Sequence, residues 1–147
     1  MRAPMRKRRA ANERGVVALE FVLVLPFLLI ILFGIIDTSL VLCDKAVITD
    51  AAGEAARAGV VLRMQPLNES QIQSVALSYA QNNIVTGGTA TAPVVSVSPP
   101  GACASAGSGN PIQVAITYTY QGLVLGSALS SLTGPVTVTA VAVKNCE

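Results

Sequence analysis

The side chains best suited to chemistry here are three cysteines and eight carboxylates, and the sequence contains no histidine. That absence removes Ser–His–Asp and Cys–His catalysis and every histidine-based metal site. Cys43, Cys103 and Cys146 are too far apart to form a zinc pattern. The glycines at 87–88 and across 101–109 lack both GK[ST] and a strand–GxGxxG–helix context, so they are not phosphate loops. Asp37 and Asp44 stand seven apart on one predicted helix face and could hold a cation. Exposed charges beside a membrane are the commoner reading of that pair. No catalytic residue, metal or cofactor is expected, and the chain is not read as an enzyme. Glu20 remains, the one charge between Val16 and Ile36. A carboxylate inside an apolar segment costs about 2–3 kcal/mol or more and commonly marks a functional pairing. It is either neutral, or reaches the headgroup region, or meets a charge from another subunit.

The surrounding composition explains why Glu20 is anomalous. The chain is 52% apolar and 12% charged, where a soluble domain carries about a quarter charged residues. Arg2, Arg6, Lys7, Arg8, Arg9 and Arg14 are six of the ten basic residues, and the rest of the chain sets four basic residues against seven carboxylates. Such a cluster can bind nucleic acid, but here it abuts an apolar run and reads as a topology signal. Residues 16–36 would span roughly 31 Å as a helix, which matches a bilayer core. The positive-inside rule then puts the N-terminus in the cytoplasm and the C-terminal part in the periplasm or outside. A conventional secretory signal competes, but its apolar region is shorter and ends in a small-residue cleavage site. This run leads into Asp37-Thr38-Ser39-Leu40 instead. Pro26 and Gly34 lie within the run. Membrane helices tolerate both, with a local bend expected at Pro26.

Arg14-Gly15-Val16-Val17-Ala18-Leu19-Glu20-Phe21 resembles the processing region of type IV pilin-like proteins. Leu25-Pro26 and Ala55-Ala56-Arg57-Ala58-Gly59 extend the resemblance to the TadE-like family of the Tad (Flp) pilus system. It covers residues 14–60, and the ordered set of three motifs is more specific than the Gly-plus-Glu start alone. The resemblance implies that a prepilin peptidase cuts between Gly15 and Val16, where a small residue lets the protease approach the backbone. It also implies that Glu20, followed by Phe21, serves assembly by pairing with the new amino terminus of Val16, on its own chain or a neighbour's. The mature body would carry four basic and seven acidic side chains, a net of −3 before its termini. Gly15→Ala or Glu20→Ala is expected to block maturation or assembly. Val16 departs from the Phe or Met usual at the first mature position of pilins.

Helical spacing continues past the apolar run through Leu40, Val47, Ala51, Ala55, Ala58 and Leu62. The chain therefore predicts one helix over about 16–62. Its small residues suit either packing on its own domain or an oligomer seam. Pro66 ends it, and Asn68 with Gln71 forms a variant capping box for a second helix over 69–83. Leu67 and Ile72 could staple its start, and Ile72, Val75, Ala76 and Tyr79 form its apolar face. Strands are predicted at 94–97, 112–120 and 136–143, and a short helix around 125–132. Ile112, Val114, Ile116, Tyr118 and Tyr120 alternate onto one face of the middle strand. A modest exported core would gain from a Cys103–Cys146 bridge, which encloses about 42 intervening residues and stabilises by about 2–4 kcal/mol. A bridge from Cys43 is the rival pairing.

The expected architecture is α+β and membrane-anchored, with a helix pair and a roughly three-stranded antiparallel sheet. Its parts are a cytoplasmic leader at 1–15 that is expected to be cleaved, a transmembrane helix at 16–36, a helical stalk at 37–63 and an exported domain at 64–147. The expected function is that of a TadE-like pseudopilin, a minor or assembly component of a Tad-type pilus or secretion apparatus. It would sit as a single pass in the bacterial inner membrane, or in a pilus. The expected partners are lipid, the peptidase and other pilin-like subunits or Tad assembly proteins, in a homo- or hetero-oligomer, with no nucleic acid. The alternative is an uncleaved, membrane-tethered binding domain unrelated to a filament. A small tethered enzyme is disfavoured by the missing catalytic sets.

Overall fold

A computed structural model describes residues 7–61, 64–85, 91–122 and 134–147, with side chains from Gly15 onward. The fold is α+β. Helix α1 runs Lys7–Val60 and α2 runs Glu69–Asn83. Strand β1 is Val94–Ser98, the single-turn α3 is Cys103–Ala106, and β2 and β3 are Pro111–Tyr120 and Val136–Asn145. The strands form one antiparallel sheet in the order β1-β2-β3. The chain divides into two compact units, Met1–Ile36 and Asp37–Glu147. The first contains only helix among its described residues, and the whole sheet belongs to the second.

In the second unit, the inward stripe of α1 is Ile48, Ala51, Ala52, Ala55 and Ala56, all fully buried. The small residues of this half thus pack on their own domain. Across the core stand Ile72, Ala76 and Ala80 of α2, and Ile112, Val114, Ile116 and Tyr118 of β2. The two-residue alternation of β2 put its apolar side chains on this face, and all five of the expected residues are buried. Asn68 caps α2 as its spacing predicts: its Oδ1 accepts from the Gln71 amide at 2.9 Å, and the Gln71 side chain accepts from the Asn68 amide at 3.0 Å. Asn82 and Asn83 close the other end by donating to the carbonyls of Ser78 and Tyr79.

Two details of the expected core differ. Tyr79 is 40% exposed, and Ala80 is buried in its place. The inward row of α2 steps by four, through Ile72, Ala76 and Ala80, which turns Tyr79 outward. On α1, the pattern named Leu40, Val47 and Ala58, but Ile48, Ala52 and Ala56 are the more deeply buried. Helix α3, in the Pro/Gly/Ser loop, was not anticipated, and the short helix expected around 125–132 lies outside the described residues.

Gly59 shows why the last turn of α1 has no room for a large side chain. A Cβ there would meet Ile72 Cδ1 at 2.8 Å and Ile112 Cδ1 at 2.9 Å. Ala would gain helix propensity and push only on two flexible methyl ends. Gly59→Leu has no such room, and overpacking of this kind costs about 1–3 kcal/mol. The urea midpoint of the detergent-extracted protein is expected to fall for Gly59→Leu and to stay near wild type for Gly59→Ala.

Candidate functional site: the amino-terminal helix and the anchor points of the second unit

Gly15, Val16, Glu20 and Phe21 occupy consecutive turns of α1. Val16 and Glu20 are four apart, so their side chains share a face. Val16 is 55% and Phe21 63% exposed, and Glu20 is exposed as well. A Cβ at Gly15 would meet nothing within 4 Å. The fold itself gives no packing reason for a glycine at this point. Glu20 has no ion-pair partner among the described residues. The helix continues through Pro26 without a break.

Large apolar side chains from Val16 to Ile36 are exposed on every side of this unit. A helix apolar all round is not a surface helix of a soluble domain. The segment is long and apolar enough to cross a membrane, and its most apolar stretch is not buried. Residues 15–57 match the family model of TadE-like proteins. The segment is TadE-like. No curated protein and no solved structure matches the chain. The TadE-like match joined to an exposed apolar helix suggests a membrane-anchored component associated with a Tad pilus.

Part of the TadE-like segment lies in the second unit, where it carries the polar residues that sequence alone placed wrongly. Asp37 and Asp44 are 7% and 0% exposed rather than solvated. Seven-residue spacing puts both on the stripe that continues through Ile48, Ala51 and Ala55, so the helix buries them with its apolar face. Asp44 Oδ1 accepts a hydrogen bond from the Val85 amide at 2.9 Å. Its neighbour Lys45 donates from Nζ to the Thr139 carbonyl on β3. Adjacent residues of α1 thus hold the exit of α2 and the edge of the sheet. The heptad spacing was visible in the sequence, but the backbone partners 41 and 94 residues away were not.

Burial raises the Asp44 carboxyl above its ordinary value of 3.8, and the Val85 amide offsets part of that rise. A group that holds its proton more tightly when folded favours folding below its unfolded value, and this contribution is lost as pH rises through its folded value. Stability is therefore expected to decline as pH climbs from about 3.8 through the raised value. Asp44→Asn keeps the acceptor for Val85 and cannot ionise. Its thermal midpoint should fall less than wild type's between pH 4 and 7, and a wild-type curve as flat as the variant's would contradict the assignment.

Cys103 and Cys146 form a disulfide with Cα atoms 5.7 Å apart, and Cys43 is free and exposed. The bridge joins α3 to the residue after β3. Backbone bonds reinforce it: Cys146 donates to the Asn110 carbonyl at 2.9 Å and accepts from Gly109 at 2.8 Å. Among the described residues no group of three or more His, Cys, Asp or Glu gathers to hold a metal ion.

Proposed function

We propose that the chain is a TadE-like pseudopilin: a non-enzymatic minor or assembly component of a Tad pilus or a related secretion apparatus. The observation that carries this reading is the TadE-like match beginning at Gly15, on a helix where neither Gly15 nor Glu20 serves the chain's own packing. A residue pair unused by the fold fits a pair used by partners. In this reading the N-terminus begins in the cytoplasm, held by the basic leader, and the second unit lies across the membrane. A prepilin peptidase cuts after Gly15. The cut removes the six basic side chains and leaves the amino group of Val16 one turn from Glu20. The Glu20 carboxylate then sits near a helix N-terminus, where the peptide dipoles favour negative charge by about 0.3–1 kcal/mol. It neutralises either its own terminus or that of a neighbouring pilin-like subunit, which lowers the cost of a charge within lipid.

The test is co-purification of pilin-like subunits with the detergent-extracted chain. Wild type is expected to bring them down. Glu20→Ala should still be cut but lose most of them. Equal recovery with Glu20→Ala would remove the assembly role and favour a plain membrane tether.

A further inference from the structure

Strand β3 lies at the edge of the sheet, beside β2 alone. Opposed residues of an antiparallel pair alternate between hydrogen-bonded and unbonded. The Cys146 amide donates to the carbonyl of Asn110, across from it. With the register of the two strands, that phase makes Ile112↔Lys144, Val114↔Ala142 and Ile116↔Ala140 the bonded pairs. Thr137, Thr139, Val141, Val143 and Asn145 therefore turn their amides and carbonyls away from β2, toward the free edge. The Lys45 contact agrees with this phase, because the carbonyl it reaches is that of Thr139. Among the described residues, nothing bonds the edge amides and carbonyls of Val141, Val143 and Asn145.

The side chains along this edge are equally unguarded. Val141 and Val143 are 52% and 55% exposed. Beside them on the same face stand Ala115 and Gln113 of β2, then Ser96 and Ser98 of β1, none of them charged. Native sheet edges are commonly protected by charge, proline or a bulge. The β3 side chains on this face include no charge and no proline, and its pairing with β2 runs without a bulge. Lys144 projects from the opposite face. The one guard is Lys45, and it occupies Thr139 only.

We propose that the Val141–Asn145 edge pairs with the same edge of a second copy about a twofold axis, joining two sheets into one. Open amides and carbonyls along an edge are met by another extended strand. Groups facing one free edge must oppose groups facing the other, which restricts the register. A twofold axis at Val141 would need the Thr139 carbonyl that Lys45 holds. An axis at Val143 sets Val143 against Val143 of the second copy, and Val141 against its Asn145. That seam stops short of Thr139 and brings the second copy's Glu147 level with it, beside the Lys45 ammonium. Over residues 64–147 the only charged side chains are Glu69, Lys144 and Glu147, so the exposed Glu147 supplies a matching charge where the seam ends. The seam lies within the second unit and does not depend on cleavage after Gly15.

The test is mild oxidation of the full chain in its own cells, read on a non-reducing gel, in a Cys43→Ser background. Opposed residues of a bonded pair have Cα atoms about 5.5 Å apart, within the roughly 4.4–6.8 Å that a disulfide spans. Val143→Cys is expected to run mainly as a covalent dimer. Val141→Cys, offset from its own copy by about 13 Å along the strands, should stay monomeric, as should Thr137→Cys. Adding Val141→Pro to Val143→Cys should abolish the dimer. The proline removes an amide that faces the free edge, so the bonds to β2 remain. A monomeric Val143→Cys chain would overturn the proposal, and so would equal dimer from Thr137→Cys, which marks random collision. The position pattern decides even where Val141→Pro lowers the urea midpoint.

Discussion

Gly15→Leu is expected to leave the chain uncut in the membrane, with its basic leader intact. Folding and recognition make separate demands on this residue. Nothing lies within 4 Å of a side chain at this position, and the residue is part of a regular helix. A glycine inside a helix costs about 1 kcal/mol relative to Ala, so the substitution should firm the helix rather than harm it. Any loss of processing then reports an external partner that must approach the backbone closely. A steric misfit of about 3 kcal/mol in a protease site slows cleavage about 100-fold. The measurement is the ratio of long to short forms on a gel of membrane extracts. A Gly15→Leu chain that still runs at the short size defeats the processing claim.

The second large effect concerns the second unit. Cys103→Ser or Cys146→Ser is expected to lower its stability by about 2–4 kcal/mol. The bridge closes a separation of 43 residues that contains α3, β2 and all of β3. Losing it frees a long loop in the unfolded chain and releases the last residues of β3 to the two backbone bonds at Cys146. The urea midpoint should fall sharply for either variant and for reduced wild type. Cys43→Ser should leave it unchanged, since Cys43 is exposed and unbridged. A Cys43 variant that destabilises as much as Cys103→Ser would show that the bridge is paired otherwise.

Local signals in the sequence carried most of the architecture. The alternation of β2 predicted its buried face, and the Asn68–Gln71 spacing predicted the capping box, because both patterns depend on residues close in sequence. The disulfide was legible in part: Cys103 and Cys146 lie far past the apolar run, while a bridge from Cys43 stayed open until the structure paired the other two. Long-range partners were not legible. Asp44 looked like a solvated charge, because nothing nearby in sequence shows that Val85 will offer an amide to it. Tyr79 and Ala80 both fit an amphipathic turn, and only the packed core decides between them. Gly59 was read as part of a motif, while its contact with Ile72 and Ile112 gives it a packing role as well. Of the candidate site, Gly15 and Glu20 were legible as anomalies: a glycine before an apolar helix and a charge within it.

The central claim is that Gly15-Val16 is a processing junction. Intact-mass measurement of the membrane-extracted chain, from cells with and without prepilin peptidase, addresses it most directly. The account predicts a chain beginning at Val16 when the peptidase is present and a chain retaining residues 1–15 when it is absent. A chain that keeps its leader beside an active peptidase would contradict it.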